Sequence, residues 1–176
     1  NIILALTNGF FELNQNDKSM NFINNPETNI LDNRFNDGTV DLKGRFYAGT
    51  MPISGSNINS KPKGSLYCLD RSGKVKKTME GFYTINGLAF SPDGKTAYIS
   101  DSAPWIRTIW AYDYNLDDGN WSNKRIFFDT TDIAGRPDGG CIDADGCYWM
   151  AGVSGWEIVR ITPKGKIDMI IKMPVE

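Results

Sequence analysis

The sequence predicts an all-β chain, a β-propeller of four-stranded antiparallel blades, and three observations carry that prediction. A unit made of an Asx-Gly step, a short strand, a turn ending in Gly and a second, aromatic-bearing strand occurs three times, at Asn36 to Gly49, Asn86 to Asp101 and Pro137 to Met150. The units recur about 50 residues apart, a spacing typical of repeated β modules. No stretch sustains apolar residues at i, i+3, i+4 and i+7, so helices are expected to be scarce.

In chain order, Ile2 to Leu6 reads as a strand, Thr7-Asn8-Gly9 as a turn, Phe10 to Leu13 as a second strand and Met20 to Ile23 as a third, outer one. Compared with the later units this opening segment lacks a first strand, and the first residue is Asn rather than Met. The sequence is therefore expected to begin inside a repeat, as a processed or excised piece. The first complete unit runs through the hairpin from Asp37 to Thr50, a Ser, Asn and Pro-rich loop from Pro52 to Lys63, a strand from Ser65 to Asp70, and Lys74 to Met79 after the turn Arg71-Ser72-Gly73.

The second unit is the clearest. Two apolar runs flank Ser91-Pro92-Asp93-Gly94, where Pro presets φ at the second turn position and Gly accepts positive φ near its end. Strands at Thr108 to Asp113 and Lys124 to Phe128 follow. The third unit continues through Glu157 to Thr162, the turn Pro163-Lys164-Gly165, and Ile167 to Ile171. These readings divide the chain at 1–32, 33–81, 82–132 and 133–176. A four-stranded blade that is apolar on both faces can bury them only against neighbouring blades, so the units are expected to stack around an axis with their first strands innermost. Six blades of that size would require about 300 residues, so the chain should cover three to four blades of a six-bladed whole.

Composition narrows the function classes. With 176 residues, 40% of them hydrophobic, and a formal net charge of −2, the chain is long enough to bury a core and offers nothing that points to nucleic acid or to an anionic membrane. The longest aliphatic run, Ile2 to Leu6, is too short to span a bilayer. Histidine is absent, which removes Ser-His-Asp and Cys-His nucleophile systems and every His-containing zinc site. The three cysteines are an odd count, against a disulfide framework. With Asp143-Ala144-Asp145-Gly146 as a turn, Ile142 is expected to face Cys147, and Cys141 to point the other way, so these thiols should not meet.

Aligned on their glycines, Asp37, Asn86 and Asp138 fall in phase. At the rim ends of innermost strands they would converge on the axis, where oxygen ligands favour a hard divalent cation such as calcium, magnesium or manganese, with zinc as a borderline ion. Each Asx-Gly step read alone is also an ordinary turn or bulge.

Four motifs in order carry a resemblance. Asn33-Arg34-Phe35-Asn36-Asp37-Gly38, then Gly44-Arg45-Phe46-Tyr47-Ala48-Gly49 behind Asp41, then Asn86-Gly87-Leu88, then Pro137-Asp138-Gly139 with Cys141-Ile142-Asp143, resemble the regucalcin and gluconolactonase family, also called the senescence marker protein family. The resemblance implies a six-bladed propeller with one divalent cation on its axis and lactone hydrolysis as its activity. It matches Asn86 and Asp138 to metal ligands, and Arg34 and Asn36 to substrate-binding residues, with Asp37 following in the same motif. The family's remaining metal ligand, a glutamate of its first blade, has no counterpart here, and the acidic substrate-contacting residue near the loop from Pro52 to Lys63 cannot be placed.

The expected function is divalent-metal-dependent lactone hydrolysis in the intact protein, with Asp138 as general base and the piece by itself inactive. The alternative is a non-catalytic propeller that binds a metal or a partner on its rim. Exposed blade edges are expected to be open to self-association. Asp143 to Gly146 lacks the glycine position and closing glutamate of a calcium loop, and reads as a turn. The aromatics Trp105, Trp110, Tyr112, Tyr114 and Trp121 read as packing between blades, and Lys74, Lys76 and Lys77 as guards of an outer strand.

Overall fold

The computed structural model describes residues 1–174. Val175 and Glu176, the end of the unit expected at 133–176, lie outside the described residues. Those described form four antiparallel sheets and no helix. The first sheet has three strands, β1 (Ile2–Leu6), β2 (Gly9–Leu13) and β3 (Met20–Asn24). The second has β4 (Asn33–Val40), β5 (Phe46–Pro52), β6 (Gly64–Leu69) and β7 (Val75–Phe82), so its last strand passes the expected division at 81 by one residue. The third is β8 (Ile85–Phe90), β9 (Thr96–Asp101), β10 (Thr108–Asn115) and β11 (Asn120–Asp129). The fourth is β12 (Arg136–Ile142), β13 (Tyr148–Val153), β14 (Glu157–Ile161) and β15 (Ile167–Lys172). Strands within each sheet pair in chain order, the up-and-down meander of a propeller blade.

The core lies between sheets rather than within them. Phe10 of β2 packs with Phe35, Ala48, Tyr67 and Leu69 of the second sheet. Tyr47 and Leu66 pack with Ile85, Leu88 and Ile99 of the third, and Tyr98 and Ile109 with Tyr148, Met150 and Val159 of the fourth. Each fully buried aliphatic side chain in these seams contributes about 1.5–3 kcal/mol. The first strands become neighbours, β4 beside β8 and β8 beside β12. The outermost strand β15 is exposed along its whole length.

Four of the five aromatics singled out in the sequence follow the packing expectation. Tyr112, Tyr114 and Trp121 close a cluster with Tyr47 and Phe90, and Trp110 meets Phe82 edge-on at 6.0 Å with the Lys124 ammonium over its ring. Trp105 packs edge-on against Tyr83 at 5.1 Å but also lines a cavity at the rim.

At the end of β4 away from that cavity, Asp41 is fully enclosed by donors. It accepts from the Lys43 and Arg45 amides, each at 2.9 Å, from Arg45 Nε at 2.6 Å and from Tyr114 Oη at 2.5 Å. Burial would raise this carboxyl, yet Tyr114 and Arg45 hold it below the usual carboxylate range. Asp143, after β12, plays the same part. It accepts from the Asp145 and Cys147 amides, Trp149 Nε1 and Arg160 Nε. That turn differs by one residue from the expected register: Ile142 faces Tyr148, because Cys147 closes the turn through its carbonyl, which accepts from the Asp143 amide. Cys141 is exposed, Cys147 is buried, and both thiols are free.

Candidate functional site

At the opposite end of the same innermost strands, each ladder is broken by a bulge at or just before its Asx-Gly step. Pairing skips between Phe35 and Asp37 in β4, between Asn86 and Ala89 in β8, and between Pro137 and Gly140 in β12. A bulge leaves one residue unpaired and re-aims its side chain. Here the three bulges border a cavity of about 400 Å³ whose walls include Asn36, Asn86, Asp138, Ser102, Trp105 and Arg136.

Gly87 shows why β8 can turn there. Its φ is +58°, and a Cβ would collide with Tyr148 Oη and lie 3.1 Å from the Asp138 carbonyl oxygen. Only glycine lets the backbone of β8 approach β12 this closely. Tyr148, wholly buried, then donates from its hydroxyl to the Gly87 carbonyl at 2.6 Å. The contact joins the strand of Asn86 to the strand of Asp138.

The structure treats the sequence-derived site residues in three ways. Asn86 and Asp138 line the one cavity. Asn86 is 6% exposed, and its Nδ2 donates to Ser102 Oγ at 2.8 Å. Ser102 Oγ in turn donates to the Pro137 carbonyl, immediately before Asp138. With the amide nitrogen fixed in this way, Asn86 Oδ1 accepts no hydrogen bond among the described residues, and the Asp138 carboxylate receives none either.

Asn36 also lines the cavity, but both ends of its amide are engaged: Oδ1 accepts from Arg34 Nη1 at 3.0 Å and Nδ2 donates to the Ile85 carbonyl at 3.0 Å. Arg34 itself folds back along β4, donating to the Phe35 carbonyl, and borders a separate cavity of about 180 Å³ beside Glu27.

Asp37 is not among the lining residues. Its carboxylate accepts from the Leu88 amide at 2.9 Å and the Gly38 amide at 2.8 Å, supporting the bulge of β8 from behind. Burial raises its pKa, against the pull of those two amides, and the nearby Asp138 charge adds to the rise. The residue in phase with Asn86 and Asp138 at the cavity is therefore Asn36, one position before the residue chosen by aligning glycines.

Sequence reasoning passed over Ser102 and Arg136. Ser102 follows Asp101, a buried carboxylate that accepts from the Tyr83, Thr84 and Ala103 amides and so shapes the loop after β9. Arg136 is delivered by a loop held from both sides. Arg107 Nη2 donates to the carbonyls of Thr130, Ile133 and Gly135, while Glu157 accepts from the Gly135 amide at 2.8 Å. The signal that could have found Arg136 was spacing: Arg34, Thr84 and Arg136 each stand two residues before Asn36, Asn86 and Asp138.

Two side chains whose oxygens have no protein donors among the described residues, one amide and one carboxylate, on the same cavity fit a hard, oxygen-seeking cation whose shell is completed by water or substrate. No three His, Cys, Asp or Glu side chains cluster as a ligand set among the described residues.

Comparison with known proteins gives the same fold and more. The profile of the SMP-30/Gluconolactonase/LRE-like region matches residues 1–176. Regucalcin of Xenopus laevis is 37% identical over 176 residues, which covers 99% of this chain and 58% of the relative. A luciferin-regenerating enzyme superposes with a TM-score of 0.89 at 32% identity, covering 98% of this chain and 58% of that structure. A calcium-binding protein, regucalcin from Agrobacterium tumefaciens, superposes with a TM-score of 0.88 at 26% identity, over 98% of this chain and 56% of that one. The chain thus spans a little over half the length of these three proteins, and it belongs to the SMP-30/gluconolactonase/LRE-like family.

Proposed function

We propose that the cavity bordered by Asn36, Asn86 and Asp138 takes one divalent cation and serves, in the full-length protein, to hydrolyse a lactone. The observation that supports this most is the pairing of an anionic carboxylate and an amide oxygen, both without protein donors, on one cavity. A half-buried carboxylate that the fold gives no donor keeps its lone pairs for whatever enters the cavity. Family membership and the calcium-binding Agrobacterium relative point the same way. Calcium is the first candidate, with magnesium, manganese and zinc as alternatives.

Asn86 and Asp138 would hold the cation. When bound, it supplies Lewis-acid polarisation of the lactone carbonyl and a lowered pKa for water. Asp138 has two carboxylate oxygens, so one is left to accept the proton of the attacking water as general base. Asn36 retains one amide hydrogen beyond that given to Ile85 and would orient a ring substituent toward the cavity. Arg34 acts here through Asn36, whose amide it fixes in one orientation. Trp105, with Met51, Pro104 and Val153, gives the cavity an apolar wall.

The test is acid release from a panel of sugar lactones and aromatic esters by the full-length protein, with chelator and then with each cation restored. Cation-dependent ring opening is the expected result. Cation binding by calorimetry without turnover of any lactone or ester would favour a non-catalytic binding module instead.

A further inference from the structure

Arg136 is set apart from the other arginines by lining the cavity with a guanidinium that is only partly engaged; Arg71 is exposed on a turn away from it. Arg45, Arg125 and Arg160 pair with Asp41, Asp113 and Asp143, and Arg107 is occupied by the carbonyls of the loop before β12. Arg136 borders the cavity on the strand of Asp138, and among the described residues no carboxylate forms an ion pair with it. Its Nη1 donates to the Ser102 carbonyl at 3.1 Å and its Nη2 to Ser154 Oγ at 3.3 Å. A guanidinium carries five N–H donors, so these two bonds aim it without exhausting it. Half-buried, with its orientation set by Ser154 in the turn after β13 and Ser102 in the loop after β9, it offers a fork of positive charge to whatever enters the cavity.

Resting on the lactonase reading of the same cavity, we propose that Arg136 is a specificity-determining residue that recognises an anionic substituent, a carboxylate or a phosphate, on the lactone substrate. A neutral polyhydroxy lactone would leave the charge uncompensated as water is displaced, whereas an anionic one would pair with it. Arg34, turned onto Asn36 in the neighbouring cavity, does not supply this charge.

The experiment compares kcat/KM of the full-length protein, R136Q and R136K on three lactones of one ring: neutral, carrying a terminal carboxylate, and carrying a terminal phosphate. The wild-type protein should prefer one anionic lactone, and the two arms identify which. In R136Q the anionic-to-neutral ratio should fall about 10- to 100-fold, the loss of one charge-assisted pair. R136K, which keeps the charge without the fork, should fall between. No anionic preference in the wild type, or an equal loss on all three lactones in R136Q, would overturn the proposal and leave Arg136 as a brace for Ser102. Should no lactone react, the catalytic reading fails separately. Calorimetric binding of a sugar dicarboxylate, a phosphorylated sugar acid and the matching monocarboxylate then decides: equal affinities for wild type and R136Q would refute the assignment.

Discussion

The two ends of β12 carry an aspartate each, and they could hardly be treated more differently. Asp143 is ringed by two backbone amides, an indole N–H and a guanidinium. Asp138 lies on an open cavity with no donor from the described residues. The same contrast holds on β4, where Asp41 is enclosed by Arg45 and Tyr114 while Asn36 borders the cavity. Residue type does not distinguish an acid that the fold satisfies from one that it leaves open. The count of satisfied lone pairs does, because a buried carboxylate that the fold needs is given donors by the fold.

The sharpest way to break this comparison is to neutralise one acid at each end. Asp138→Asn should lower kcat by about 10²- to 10⁴-fold at saturating cation, the range for loss of a general base, with little change in thermal midpoint. Near-normal turnover would remove Asp138 from its proposed role. Asp41→Asn should do the reverse. Its side chain is 0% exposed beside a 13% exposed Arg45, so the substitution strands a buried guanidinium at a cost of about 3 kcal/mol. A denaturant midpoint within error of wild type would show that the enclosed aspartates are dispensable.

How far the sequence reveals this division is instructive. The strands, their meander and the Asx-Gly steps were all readable, because period-two patterning and turn residues act locally. Choosing Asp37 over Asn36 followed from aligning glycines, and the bulges make that alignment slip by one. In β4 the extra residue is Asn36, before the Asp-Gly step, whereas in β8 and β12 the break runs through the Gly itself. Ser102 was not readable at all, since its part depends on a hydrogen bond to Asn86 and another to Pro137 across strands that only the folded blades bring together.

Ser102 therefore offers an intermediate test. Ser102→Ala removes the partner that fixes the Asn86 amide, leaving Oδ1 free to rotate away from the cavity. Affinity for calcium or manganese, measured by titration calorimetry, should fall about 10-fold, as for other groups that orient metal ligands. The thermal midpoint of the cation-free protein should move far less. Unchanged affinity would mean that packing alone orients Asn86.

The smallest expected effect lies at the enclosed end and appears only in acid. Partial burial by itself would raise the Asp143 carboxyl, but Trp149 Nε1, the Cys147 amide and the Arg160 guanidinium together hold it down to about 2. Its value in the unfolded chain is about 3.9. Because the folded value is the lower one, the contribution is fully present above about pH 4 and is lost as pH falls toward 2. The Asp143 side chain is 26% exposed, so solvent screens the Arg160 pair. Asp143→Asn should accordingly lower the thermal midpoint near neutrality by only about 2–4 °C. Between pH 4 and 2 the wild-type midpoint should drop toward that of the variant, and the two curves should converge. Parallel curves over that range would mean that Asp143 titrates alike in both states, and that the donors around it serve the geometry of the turn rather than the charge.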